Sequence, residues 1–207
     1  MVGYTTANTI INTGDKPRTE TTGMPCIWLL DMFNPSPSAV IVIPYNGDTS
    51  KPATTGYFGE IPSDRIKYEG NVLFFKADGK SRGKLGIHPP RAKHLMGSYD
   101  PDHHLLTITQ FDVDPGGRYL NQEWATNKPP FSGDAVNAYN DGPLADGGQM
   151  GPFYELESVA PAAALAPGAL QIHRHSVFHF TGTEASLDKI SRQTLGVPIE
   201  KIKTIFQ

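Results

Sequence analysis

Short runs of β-branched and aromatic residues, each bounded by glycine, proline, asparagine or aspartate, recur along most of the chain. Such runs are typical of the strands of an all-β protein, in which turn residues end each strand. We predict strands at residues 8–12, 26–33, 40–45, 71–77, 84–87, 105–113, 135–140, 151–159, 162–165 and 170–180. Residues 41–43 are apolar without alternation, which indicates a strand covered on both faces. The pattern predicts an all-β sandwich.

Helical spacing occurs near the end of the sequence. Apolar Leu187, Ile190 and Leu195 recur at helical intervals before Gly196, a typical stop residue. Pro198 then suits the first position of a second helix. We predict a short C-terminal helical segment over residues 184–205.

Composition limits the classes of partner. The chain has 207 residues, which fits one domain spanning residues 1–207, and its formal charge of −3 gives no basic surface for nucleic acid. It lacks an apolar run of the about 20 residues that span a bilayer, and residues 1–20 lack the apolar core of a signal peptide. We therefore expect a soluble protein with no membrane partner, and the sequence leaves its localisation open.

Two acids and three histidines lie close together in the sequence at strand spacing. Residues two apart share a face of a strand, so Glu155 and Glu157 project together, as do His173, His175 and His179. If the two strands lie beside each other, the carboxylates and imidazoles meet. Such a group suits proton transfer, a metal site or the rim of a sugar site. Two ordinary glutamates on a solvated face are the structural alternative.

The histidine pair leaves three interpretations open. His173 and His175 suit two ligands of a zinc, iron or manganese ion, and Gly168 before them is similar to the first cupin motif. The glutamate that follows in the cupin motif is missing, and so is a second histidine motif. The histidines equally suit contacts to a polar ligand or hydrogen bonds within the core.

Polar and aromatic loop residues provide further candidates for ligand binding. Trp124 can stack on the face of a sugar, and the loop at Tyr139, Asn140 and Asp141 offers groups that satisfy its hydroxyls. Lys76 and Arg82 can bind an acidic sugar or a phosphate. An Asn-Asp-Gly turn and a hairpin with a charged tip are the structural alternatives.

Six motifs occur in a characteristic order: NTIINTG at 8–14, IWLLDMFNPSP at 27–37, FFKADG at 74–79, GSYD at 97–100, YNDGP at 139–143 and FYELE at 153–157. Together they resemble an uncharacterised bacterial family with a galactose-mutarotase-like β-sandwich. The resemblance implies a partial supersandwich, since the chain corresponds to the C-terminal half to two-thirds of longer members.

Sugar mutarotases place their catalytic glutamate on a late strand before a Leu-x-Pro-Gly turn. Glu157 followed by residues 165–168 is similar, which implies that Glu157 is the general base; the histidine acid of mutarotases has no counterpart here. In this hypothesis Glu155 or His175 replenishes the proton, and Trp124 and the loop at residues 139–141 position the sugar.

The leading prediction is therefore carbohydrate binding or modification, with a small-molecule carbohydrate as partner and no cofactor. A metal-dependent cupin-like enzyme is one alternative. A non-catalytic binding or assembly module, forming a homo-oligomer through an exposed strand edge or face, is the other.

Overall fold

A computed structural model of the chain describes residues 1–47, 52–123 and 127–207. Its strands are β1 (Val2–Ile11), β2 (Trp28–Phe33), β3 (Val40–Pro44), β4 (Ala53–Thr54), β5 (Ile66–Glu69), β6 (Val72–Lys76), β7 (Gly83–Ile87), β8 (Leu95–Asp100), β9 (Leu105–Phe111), β10 (Val136–Asn140), β11 (Tyr154–Val159) and β12 (Leu170–Thr181). Helices α1 (Glu184–Thr194) and α2 (Ile199–Thr204) follow, and a 3-10 turn occupies Pro89–Arg91.

The strands form two antiparallel sheets. The seven-stranded sheet has the order β1-β12-β9-β8-β3-β6-β5, and the five-stranded sheet has the order β2-β11-β10-β7-β4. A single apolar core, which includes Ile41, Phe75, Leu85 and Leu156, fills the space between them. The prediction of an all-β sandwich is confirmed.

Strand β3 is buried along its whole length, as its uninterrupted apolar run predicts. Ile41 and Ile43 face the core between the sheets. Val40 and Val42 face the opposite way and pack beneath the two helices. The strand is therefore covered on both faces.

The helical prediction is also confirmed. The Thr183 side chain caps α1 by accepting a hydrogen bond from the Ser186 N–H. Gly196, at φ +74°, provides the left-handed residue that ends the helix. Both helices pack on the outer face of the seven-stranded sheet. Within the described residues, no helix is long and apolar enough to cross a membrane.

Strands β11 and β12 belong to different sheets, so the glutamate and histidine strands do not lie side by side, and the condition under which their side chains would meet is not fulfilled. Between them, residues 162–165 were predicted as a strand and instead form a crossing loop. The N–H groups of Ala162 and Ala163 bond to the carbonyls of Arg118 and Pro25 in other loops. The chain thus passes from one sheet to the other there.

Strand β1 lies at the edge of the seven-stranded sheet. It pairs with β12 over its whole length and contains no charged residue or proline. Val2, Tyr4 and Ile11 are exposed. Natural edge strands usually carry charge, proline or a bulge, which prevents pairing with another chain.

Candidate functional site

Strand β11 directs its two glutamates toward the outer face of the five-stranded sheet. Tyr154 and Leu156 point inward and join the core between the sheets. Because side chains alternate along a strand, Glu155 and Glu157 point outward together. Their neighbours on β10 are Tyr139 and Asn137. The predicted pairing of the two acids on one face is present.

A cleft of about 740 Å³ lies over this face. Its wall is formed by strands β2, β7, β10 and β11 together with the adjoining loops. The lining residues are Trp28, Leu30, Met32, Tyr57, Phe58, Arg82, Lys84, Gln122, Glu123, Tyr139, Met150, Phe153 and Glu155. Apolar and aromatic walls with a few polar groups are typical of small-molecule sites.

Glu157 lies beneath the cleft and is fully buried. Its Oε2 accepts a 2.7 Å hydrogen bond from Trp28 Nε1 and a 2.9 Å bond from Lys84 Nζ. The Lys84 ammonium lies 4.5 Å from the centre of the Trp28 ring. A buried carboxylate needs such a counter-charge and donors, since desolvation alone strongly disfavours it. Trp28 and Lys84 provide the donors and the counter-charge that a carboxylate at this buried position needs.

Glu155 reaches the cleft itself and is only 6% exposed. Burial, followed by the negative charge of Glu157, raises the pKa of Glu155 to about 8. Glu155 therefore holds a proton at neutral pH. Neighbouring carboxyls in such different environments are typical of acid–base sites.

A second hydrogen-bond chain begins at Tyr57 in the cleft wall. The Tyr57 hydroxyl donates a 2.6 Å bond to Asp134 Oδ2 and accepts a 3.1 Å bond from Asn137 Nδ2. Asp134 Oδ1 lies 3.0 Å from His88 Nδ1 at the surface. Burial makes the largest contribution to raising the pKa of Tyr57, so its hydroxyl stays protonated. The chain fixes the orientation of the phenol.

Arg82 and Tyr139, both predicted ligand contacts, line the cleft with Glu155. The Arg82 guanidinium carbon lies 3.8 Å from the centre of the Phe58 ring. The Tyr139 hydroxyl donates a 2.8 Å bond to Asp141 Oδ1. Burial, the main cause, raises the pKa of Tyr139 to about 12.

Asn140 and Asp141 were predicted to contact the sugar, but neither is among the residues that line the cleft. Asn140 Oδ1 accepts a 2.9 Å bond from the Gly79 N–H, and its Nδ2 donates a 2.9 Å bond to the Ser81 carbonyl. Asp141 Oδ2 accepts a 3.0 Å bond from the Gly151 N–H. These contacts fix the two loops that border the cleft.

The histidines lie between the sheets, on the opposite side of β11 from the acids. The Ser158 hydroxyl lies 2.9 Å from His173 Nε2 and 2.8 Å from His175 Nδ1. His175 Nε2 lies 2.6 Å from Asp31 Oδ2. Burial lowers the pKa of His173 to about 4, so this ring is neutral. Because these rings point inward from β12, the structure does not bring His175 to the glutamates.

The described residues provide no third ligand beside the histidine pair. Within the described ranges, no group of three or more histidine, cysteine, aspartate or glutamate side chains is placed to hold a metal ion. The Ser158 hydroxyl and the Asp31 carboxylate already satisfy three of the four ring nitrogens. These contacts agree with the interpretation that the two histidines form hydrogen bonds within the core.

Lys76, a further sequence candidate, is not among the residues that line the cleft. Lys76 ends β6 in the other sheet, and its ammonium lies 5.2 Å from the centre of the Phe206 ring. It belongs to the surface beside the C-terminal helices. Trp124 lies outside the described residues.

Sequence reasoning missed Trp28, Lys84 and Tyr57. Trp28 and Lys84 lie within predicted strands, but their shared face with the glutamates depends on strand pairing. Tyr139 pairs with both Glu155 and Lys84, which places the lysine on the outer face. Tyr57 lies in a loop without a recognisable motif. The signal that the sequence offered was Lys84 itself, a charged residue at the start of a predicted strand.

Two solved structures define the class of fold. A putative aldose 1-epimerase from Escherichia coli K12 matches with a TM-score of 0.51 and 15% identity, over 87% of this chain and 57% of that protein. The Slr1438 protein from Synechocystis sp. PCC 6803 matches with a TM-score of 0.50 and 13% identity, over 87% and 51%. The fold is thus an aldose-epimerase-like β-sandwich, and the chain spans about half the length of each neighbour.

The family of the chain is defined by its sequence, more directly than by these structural neighbours. Residues 1–206 match the family of unknown function DUF6786. The chain therefore belongs to this family, as the order of its motifs suggested. A comparison with curated proteins gives no match.

Proposed function

We propose that the cleft binds a monosaccharide and that Glu155 exchanges protons with it during interconversion of its anomers. The observation that carries this proposal is the pair of neighbouring carboxyls, one lining the cleft and the other buried against Lys84 and Trp28. Glu155 faces the cleft with a pKa raised to about 8, while Glu157 beneath it is paired with Lys84. The aldose-epimerase-like fold supports a carbohydrate as the ligand.

The aromatic wall suits a sugar ring. Trp28, Tyr139 and Phe153 border the cleft and offer apolar faces for the C–H side of the ring. Glu155 and Glu123, the latter paired with Lys128, offer carboxyl oxygens for its hydroxyls. An apolar wall with few polar groups orients a small polar ligand.

A neutral carboxylic acid can carry out ring opening alone. The O–H of Glu155 donates its proton to the ring oxygen, and its carbonyl oxygen accepts the proton of the anomeric hydroxyl. The bond between the anomeric carbon and the ring oxygen breaks as the aldehyde forms. No net proton is lost, and the reverse step on the other face gives the second anomer.

The roles of the two glutamates differ from the sequence-based hypothesis in this proposal. Glu157 was the predicted base, but its Oε2 is occupied by Trp28 and Lys84 and the residue does not line the cleft. Its charge instead helps Glu155 to retain a proton. Glu157 is therefore a positioning residue, and Glu155 is the catalytic residue.

Proton NMR tests this function. Saturation transfer and anomer exchange are recorded on a panel of monosaccharides with the wild type, Glu155→Gln and the surface control Glu200→Gln. We expect the protein to accelerate exchange and Glu155→Gln to reduce the acceleration by about 100-fold or more, the usual contribution of a general acid–base. Binding without exchange would show a binding module. The absence of both saturation transfer and accelerated exchange would refute the proposal.

We also propose that β1 mediates assembly of the protein. Its uncharged edge and its exposed Val2 and Tyr4 favour pairing with a second copy. Light scattering across micromolar concentrations tests this. A dimer that the Tyr4→Lys variant disrupts supports the proposal, whereas a wild type that stays monomeric throughout contradicts it.

A further inference from the structure

Arg82 places a positive charge in the wall of the cleft. It lies in the loop before β7, and its guanidinium carbon is 3.8 Å from the centre of the Phe58 ring. Arg82 and Glu155 line the same cavity. Stacking on an aromatic face holds a guanidinium plane while its N–H groups remain at its edges.

The other charged groups that line the cleft already have partners. Lys84 pairs with Glu157, and Glu123 pairs with Lys128. Glu155 is uncharged at neutral pH, because its pKa is raised to about 8. These groups therefore add little net charge to the cavity.

Arg82 differs from them. In the part of the chain that the structure describes, Arg82 forms no ion pair. Its polar neighbour is the Tyr139 hydroxyl. The nearby Asp141 carboxylate accepts hydrogen bonds from Tyr139 and the Gly151 N–H, and it is not among the residues that line the cleft.

We propose that the substrate of this cleft is a monosaccharide carrying an oxyanion, a carboxylate or a phosphate, which Arg82 binds. This inference rests on the proposed function and names the class of sugar. The planar fork of a guanidinium matches two oxygens of such a group, which a neutral sugar lacks. Arg82 is half-buried and lines the same cavity as the Glu155 carboxyl, so its charge is available to a ligand bound there.

The test is isothermal titration with matched sugars. Galactose is compared with galacturonate, and glucose with glucuronate and glucose 6-phosphate, which separates the carboxylate from the phosphate. The proteins are the wild type, Arg82→Gln, Arg82→Lys and the surface control Arg174→Gln. Circular dichroism verifies that each variant is folded.

We expect the wild type to bind an acidic sugar at least about tenfold more tightly than its neutral counterpart, which is the lower end for a hydrogen bond to a charged group. Arg82→Gln should weaken binding of the acidic sugar by about tenfold or more and so remove this preference, since the charged interaction is lost. Arg82→Lys should retain part of it, because the charge remains but the fork is lost. Arg174→Gln should behave as the wild type.

The outcomes separate this inference from the proposed function. If neutral sugars bind as tightly as acidic ones, or if Arg82→Gln keeps the preference, the inference is refuted while the proposed function stands. If no sugar of either kind binds, both are refuted. A preference for the phosphate alone or for the carboxylate alone identifies the oxyanion.

Discussion

Replacement of Lys84 by methionine tests the electrostatics beneath the cleft. The Lys84 ammonium lies 2.9 Å from Glu157 Oε2, and the two side chains are 6% and 0% exposed. Methionine keeps most of the aliphatic stem against Trp28, so the variant mainly removes the counter-charge. Removing one member of a buried ion pair costs about 3–5 kcal/mol, because the other charge is left uncompensated.

The assay is unfolding by urea, followed by circular dichroism. For a domain of this size, a loss of 3–5 kcal/mol corresponds to a melting temperature about 6–20 °C lower. Lys201→Met is the matched control, since its partner Glu69 lies on the surface. Exposed pairs contribute at most about 1 kcal/mol, so the control should remain close to the wild type.

A double-mutant cycle isolates the pair. Glu157→Gln removes the negative charge but keeps an acceptor for the Trp28 indole N–H. We expect the double variant to be more stable than the sum of the two single losses predicts, with a coupling of about 2 kcal/mol or more. Additive losses, or a Lys84→Met variant as stable as Lys201→Met, would refute the buried ion pair.

Further predictions concern the same region. The pKa of Glu155 is about 8 in the folded state against an ordinary 4.5. At a pH between these two values, the folded state therefore holds a proton that the unfolded state has released. The free energy of unfolding should therefore fall as the pH rises through this window, and Glu155→Gln should flatten that slope in urea titrations at several pH values. Ser158→Ala removes the buried hydroxyl between the two histidines and should cost about 1–3 kcal/mol in urea unfolding, whereas Ser176→Ala should change stability by less than about 0.5 kcal/mol. In Gly142→Ala, the new Cβ would lie 2.4 Å from the Ser81 backbone nitrogen, so thermal unfolding should show a loss of about 1–3 kcal/mol. Gly116→Ala is the control, because its nearest neighbour would be 3.7 Å away.

Local patterns in the sequence predicted most of the strands. Runs such as residues 40–45 and 105–113 combine β-branched residues with turn residues at both ends, and each became a strand. The structure adds β4, β5 and β8. Strand β8 contains Gly97 and several polar residues, so its propensity is weak and its pairing with β3 and β9 determines it.

The pairing of strands could not be read from the sequence. Glutamates and histidines on consecutive strands suggested one shared site, but the loop between them crosses to the other sheet. The alternation within each strand was correct, since it depends only on backbone geometry. Which face meets which neighbour depends on contacts between distant residues.

The same reason explains the missed site residues. Glu155 and Glu157 stood out because two acids share a face of one strand. Lys84 joins them only through the register of β7 on β10 and of β10 on β11. The pKa of Glu155 depends on burial and on a neighbouring charge, neither of which a single sequence provides.

The most direct test of the central claim is the pH dependence of anomer exchange, measured by NMR with the protein-free rate subtracted. If protonated Glu155 is the catalytic group, the accelerated rate is highest below its pKa of about 8 and falls as the pH rises through that value. Glu155→Gln should show no such step. A rate that rises through pH 8, or a Glu155→Gln variant with the wild-type rate, would contradict the proposed role of Glu155.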